Sequence, residues 1–214
     1  MTTVIIPCHN EAQNIGHVLK NIKKKYDVIV VDDGSKDNTK EVVISNKYKP
    51  VVHRKNNGKS AACITGVKNS KNDKCVFIDG DGQLSVSEIP KFIEALNHAD
   101  VVIGERDYSS IPFQRRISNK YATICVNYIA GTKFKDVLCG FRGVRKKHFN
   151  KLNFEKKGYF FESEMIIRAA QNGLRIKPVK VSVDYSRGSR MPFHKSIHIA
   201  SWLTYLAAKK MIRG

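Results

Sequence analysis

The chain has 214 residues, 42% of them hydrophobic and 27% charged, enough apolar material for one core of ordinary size and too much for a disordered chain. Its formal net charge is +19 and unevenly spread: residues 1–110 carry 16 Lys/Arg against 14 Asp/Glu, residues 111–214 carry 22 against 5. That asymmetry points to an anionic partner for the second half, while five cysteines without a C-x-x-C pair argue against a disulfide framework or a zinc site.

The first seven residues, MTTVIIP, lack the basic region and long apolar core of a secretory signal, so a reduced cytoplasmic setting is expected. Short β-branched runs predict strands at 4–7, 28–31, 51–53, 75–78 and 101–103, with helical patterns between them at 11–24, 39–46, 58–68 and 87–97. Such alternation implies an α/β fold with a mostly parallel central sheet and helices on both faces. Ligands in folds of this kind gather at the carboxyl ends of the strands. The segments that follow three of these strands are polar: Pro7-Cys8-His9-Asn10-Glu11, Asp32-Asp33-Gly34-Ser35 and Asp79-Gly80-Asp81-Gly82-Gln83.

In the second half the spacing predicts a helix over 113–130, a second helix within YFFESEMIIRAAQNG stopped by Gly173, and a strand over 176–183. A last helix over 196–212 sets Ile199, Trp202, Leu203 and Leu206 on one face and closes on Lys209, Lys210 and Arg213. Its uncharged stretch, 196–208, is short of the roughly 20 residues that span a bilayer. It reads equally as an interfacial helix in the headgroups or as a helix packed on the domain.

Residues i and i+2 of an extended segment point to one side, so Asp79 and Asp81 can reach a single divalent cation while Gly80 allows close backbone approach. Hard oxygen ligands of this type suit Mg2+ or Mn2+ and leave positions open for substrate phosphates. A calcium hand fails because its first ligand position would fall on Phe77, and a P-loop fails because its first glycine would fall on His53. Asp32 and Asp33 read either as acceptors for a nucleoside or as caps of the following helix. Gathered on one sheet edge with Asp79 and Asp81, the acids favour a nucleoside-diphosphate site.

The ordered set VIIPCHNEAQNIG, VIVVDDGSKDNT, NNGKSAACITGV, VFIDGDGQ, VVIGERDY, DVLCGFRGVRK and FFESEMIIRAAQNGLRI resembles the family 2 inverting glycosyltransferases, most of all the polyprenyl-phosphate and dolichol-phosphate mannose and glucose synthases. The resemblance runs from Val4 to about Arg190 and implies one domain over 1–214 with an A-type glycosyltransferase fold. Residues 1–110 would form its nucleotide-sugar half, 111–194 its acceptor half and 195–214 an amphipathic C-terminal helix. It implies that Pro7, His9, Glu11, Val31 and Asp33 hold the nucleoside, that Asp79, Gly80, Asp81 and Arg106 meet the donor diphosphate, and that Asp79, Asp81 and Gln83 bind the metal. On the acceptor side it implies phosphate contacts from Arg115, Arg116, Ser118, Cys139, Gly140, Phe141, Arg142, Arg187, Ser189 and Arg190, with Asp81, Arg115, Arg116 and Arg142 closest to the chemistry. His9 stands where the family often has tyrosine, and Leu138-Cys139 replaces the Thr-Ser of the mannose-synthase pattern.

A lipid monophosphate, with a second pKa of ~6, needs guidance more than deprotonation, and arginines guide it by pairing in bidentate fashion. A phosphate acceptor is therefore expected over a saccharide hydroxyl with Glu162 or Glu164 as base. The expected partners are a nucleotide-sugar, a polyprenyl or dolichyl phosphate and an anionic membrane surface on the cytoplasmic face. No nucleic acid is expected, because the basic residues lack interleaved aromatics.

Overall fold

The computed structural model describes residues 1–107, 111, 113–154, 160–185 and 193–213. The first strands fall where the β-branched runs predict them: β1 (Thr2–Cys8), β2 (Asp27–Asp32), β3 (Val51–Val52), β4 (Lys74–Phe77) and β5 (Val101–Arg106). Between them lie α1 (Ile15–Asn21), α2 (Thr39–Ser45), α3 (Lys59–Asn69) and α4 (Ile89–His98). The second half supplies α5 (Phe113–Ala130), β6 (Arg142–Arg145), α6 (Lys146–Phe149), α7 (Phe161–Gln171), β7 (Ile176–Val181) and α8 (Phe193–Arg213).

Among the described residues the strands form one seven-stranded sheet in the order β3-β2-β1-β4-β6-β5-β7. All neighbours are parallel except β6, which runs antiparallel to both β4 and β5. A four-residue strand from the second half thus sits inside the sheet, and residues of both halves pack on each of its faces. Strand side chains alternate between its faces. Val4, Ile6, Val76 and Ile78 pack with Ile15, Leu19 and Phe92 on one side, and Ile5, Cys75 and Phe77 pack with Cys63, Phe161 and Met165 on the other. Helices α1, α2 and α4 cover the first face; α3, α5, α7 and α8 cover the second.

The final helix is docked on the domain along its middle. Ile199 and Leu203 are buried, and the Trp202 ring meets Phe160 edge-on at 5.0 Å. Trp202 is therefore spent on packing. No helix among the described residues is long and apolar enough to cross a membrane.

Candidate active site

The strand ends of β1, β2 and β4 open into one cavity of about 430 Å³. Its walls carry Pro7, His9, Glu11, Asp33, Asp79, Gly80, Asp81, Gln83, Arg106, Arg115, Ser118, Cys139 and Gly140 of the residues expected from sequence. Lys59, Leu138, Glu162 and Ile199 complete the side formed by the second half and α3. A parallel sheet with β1 at its switch in direction of winding explains the convergence, since chains leaving adjacent strands part there and leave a crevice.

The two acids at the end of β2, Asp32 and Asp33, have different partners. Asp32 accepts from the backbone N–H and hydroxyl of Ser35, at 2.9 and 2.5 Å, and so tightens the turn. Asp33 accepts from the N–H groups of Asn57 and Gly58 at 3.0 and 2.7 Å and pairs with His53 Nδ1 at 2.7 Å. It thereby ties the loop before α3 to the cavity wall. His9 Nδ1 lies 3.0 Å from the Asp33 carbonyl, and Glu11 holds Asn14 Nδ2 at 3.0 Å.

The loop after β4 is held from two directions. The Gln83 N–H donates to Asp81 Oδ1 at 3.0 Å, and the Gln83 carbonyl accepts from the Asp184 N–H at 2.9 Å. Burial, with the adjacent Asp79 adding to it, pushes the Asp81 carboxyl up to about 6. A second carboxylate beside a buried one is costly without a cation, so Asp79 and Asp81 suit a hard divalent ion. Lys59 meets part of that demand from the side, 2.5 Å from Asp79 Oδ1 and 2.5 Å from Glu162 Oε1. Burial alone would lower the Lys59 pKa, but these two acids overcome it and keep the ammonium charged. Gly140 lets the backbone pass directly against Asp79; a Cβ there would stand 1.9 Å from Asp79 Oδ2.

Arg106 is gripped by the buried Asp136 through Nε at 2.6 Å and Nη2 at 3.0 Å, and its Nη1 donates to Tyr185 Oη at 3.3 Å. Arg115 and Ser118 reach the cavity from one face of α5. Burial, seconded by Arg106, lowers the Arg115 pKa against the pull of Tyr185 and Asp81.

Four of the expected residues stand off the cavity lining. Val31 is fully buried beside Pro7 in the β1–β2 pair. Arg116, one residue round the helix from Arg115, donates from Nε to the Ile111 carbonyl at 2.7 Å. Arg142 is wholly buried on β6 opposite Phe77 and Ile103; Nη2 donates to the Val137 carbonyl at 2.5 Å, while Nε and Nη1 have no partner among the described residues. Phe141, also fully buried, stacks on Phe92 at 4.1 Å. Arg187, Ser189 and Arg190 lie outside the described residues. The Cys139 thiol lines the cavity, and burial pushes it up to about 11, so it is a neutral surface there.

Sequence reasoning missed Lys59 and its pairing with Glu162, which it weighed as a base for a saccharide acceptor. The available signal was Gly58-Lys59-Ser60 opening a helix after a strand, which reads as an incomplete phosphate loop. Glu164 is buried on α7 and faces Arg168 at 3.6 Å.

Residues 3–162 match the family model for glycosyl transferase family 2. An uncharacterized protein of Methanocaldococcus jannaschii is 38% identical over 85% of this chain and 87% of its own length. The dolichol-phosphate mannosyltransferase of Pyrococcus furiosus is 34% identical over 78% of this chain and 52% of its own. In fold, the chain is similar to glucosyl-3-phosphoglycerate synthase of Mycobacterium tuberculosis, with a TM-score of 0.80 at 19% identity over 96% of this chain and 78% of that one. That enzyme has also been crystallised with Mn2+ and UDP-glucose. The fold is the A-type of the glycosyltransferases, and the chain belongs to glycosyl transferase family 2, where it resembles the polyprenyl-phosphate sugar transferases.

Proposed function

We propose that this protein transfers a hexose, with inversion, from a nucleotide-sugar of the GDP-mannose or UDP-glucose type to a polyprenyl or dolichyl phosphate at the cytoplasmic face of a membrane. The observation that carries this reading is one cavity lined both by the acids Asp79 and Asp81 and by the arginines Arg106 and Arg115. Pro7, His9, Glu11 and Asp33 line the end suited to the nucleoside. Asp79, Asp81 and Gln83 would hold Mg2+ or Mn2+, which when bound offsets the charge that collects on the leaving diphosphate.

Arg115, with Ser118 beside it on α5, orients the acceptor phosphate. A phosphate oxygen then forms the bond to the anomeric carbon as the bond to the diphosphate breaks, which inverts the configuration. An acceptor that arrives as a dianion needs no general base. The acids that would otherwise serve as one are committed: Glu162 to Lys59, Glu164 to a buried position facing Arg168. Arg142 and Arg116 act from behind this wall as positioning residues, and Arg187, Ser189 and Arg190 complete the acceptor set in the same reading.

The test is transfer of labelled sugar from UDP-glucose or GDP-mannose into organic-extractable lipid phosphate with Mn2+ present. Asp81→Ala should abolish it, and excess chelator should abolish it in the unaltered chain. Full transfer in either case would remove the metal, and a label that stays in the aqueous phase on a saccharide would replace the acceptor.

A further inference from the structure

Helix α5 is apolar on two opposite sides. Ala122 and Val126 are buried against the domain, yet Phe113, Ile117, Tyr121, Ile124 and Tyr128 are 73%, 67%, 40%, 59% and 46% exposed. At 3.6 residues per turn these five fall within an arc of about 80°. Scattered apolar side chains on a surface mean little, but a single stripe four turns long is an interaction face.

The neighbouring helix extends it. Tyr121 Oη meets Thr204 Oγ1 at 2.6 Å, and Lys210 Nζ donates to the Tyr128 carbonyl at 2.8 Å, so α8 runs alongside α5 in the same direction. Tyr205, Met211 and Ile212 on α8 are exposed as well. The charge around this face has one sign: neither α5 nor α8 contains an Asp or Glu, and both carry Lys or Arg. Lys209 and Lys210 place their ammonium groups 5.9 and 5.2 Å from the centres of the Tyr205 and Tyr128 rings.

We infer that the α5 stripe, with the C-terminal turns of α8, docks on an anionic lipid bilayer. An apolar band with tyrosines and basic residues at its margin matches the layered chemistry of a headgroup interface. A second copy of this chain would bring the same lysines against one another, whereas acidic lipids supply the missing charge. The orientation also serves the proposed reaction, on which this inference rests: Arg115 and Ser118 enter the cavity from the turns that carry Phe113 and Ile117 outward. A lipid phosphate would thus reach the arginine wall without leaving the membrane surface.

Sedimentation of the full chain with vesicles tests the surface. The protein should bind phosphatidylcholine mixed with phosphatidylglycerol, bind pure phosphatidylcholine weakly, and lose binding to the mixed vesicles at high salt. The pair Ile117→Ser and Ile124→Ser should weaken the mixed-vesicle partition at least about tenfold, since burial of one branched aliphatic is worth about that factor. Transfer to a short, water-soluble prenyl phosphate should be unchanged by the same pair. Equal vesicle binding by the pair and the unaltered chain, or no binding by either, would overturn the inference. So would a dimer in lipid-free buffer that the pair dissolves, because the stripe would then belong to a second copy. Absence of soluble transfer in the unaltered chain would instead fail the proposed reaction, and the vesicle comparison would still be read.

Discussion

The Lys59 ammonium lies between Asp79 and Glu162, 2.5 Å from an oxygen of each. One carboxylate follows β4, the other belongs to the first turn of α7, so the lysine joins the β4 side of the cavity to the α7 side. By the same distances the two acids stand within about 5 Å of each other, and they repel unless a cation divides them. Lys59→Met removes that cation from a mostly buried place and should cost on the order of 3 kcal/mol. A divalent ion at Asp79 would relieve part of the same repulsion. The rise in Tm on adding Mn2+ should therefore be larger for Lys59→Met than for the unaltered chain. Equal rises would mean that lysine and metal do not answer to the same carboxylates.

Gly140 makes a second demand on Asp79. A methyl group at this position would need the space of the carboxylate, at 1.9 Å from Oδ2, and the backbone on the other side is part of the β6 approach. The side chain of Asp79 is the softer element and would turn away. Gly140→Ala should lower transfer by about tenfold or more through misplacement of one ligand, and should raise the Mn2+ concentration needed for half activity. Turning Asp79 away also loosens its pair with Lys59, which keeps Glu162, so Tm in chelator should fall by less than in Lys59→Met. A variant with ordinary Mn2+ dependence would show that Asp79 tolerates the new position.

The donor side was legible because its residues follow strands whose pattern is local. Cys8 to Glu11, Asp33 and Asp79 to Gln83 each end a β-branched run, and a parallel sheet brings such ends together regardless of loop detail. The acceptor side depends on contacts that no short window contains. β6, Arg142 to Arg145, is four residues long and enters the sheet between strands that precede it in the chain, so the sequence pattern predicts no strand there. Arg142, expected to contact the acceptor phosphate, is instead buried on β6, where its cross-strand neighbours Phe77 and Ile103 share its face. Lys59 gains its meaning only when α7 folds beside α3. The outward stripe of α5 was hidden for a related reason: apolar residues on both sides of a helix blur its periodicity, and only packing separates the covered arc from the open one.

Arg106 and Asp136 form a further buried pair at the cavity, and they link its charge to acid stability. Asp136 is fully buried and receives both Nε and Nη2 of the guanidinium. Burial works to raise its pKa, but the Arg106 hydrogen bonds and charge prevail and hold the carboxyl below its ordinary value of 3.8. The unfolded chain, lacking this partner, takes up the proton first as pH falls. The stabilisation is therefore complete above about pH 4 and is lost as pH falls from there through the depressed value. Asp136→Asn leaves Arg106 without its counter-charge and should cost roughly 3 to 5 kcal/mol near neutrality, a fall in Tm on the order of 10 °C for a chain of this size. Below about pH 4 the gap between the variant and the unaltered chain should narrow as pH falls toward the depressed value, because the unfolded carboxyl takes up its proton before the folded one does. Thermal unfolding across that range checks the sign: a gap that stays constant, or widens in acid, would mean that the pair contributes through packing and not through charge.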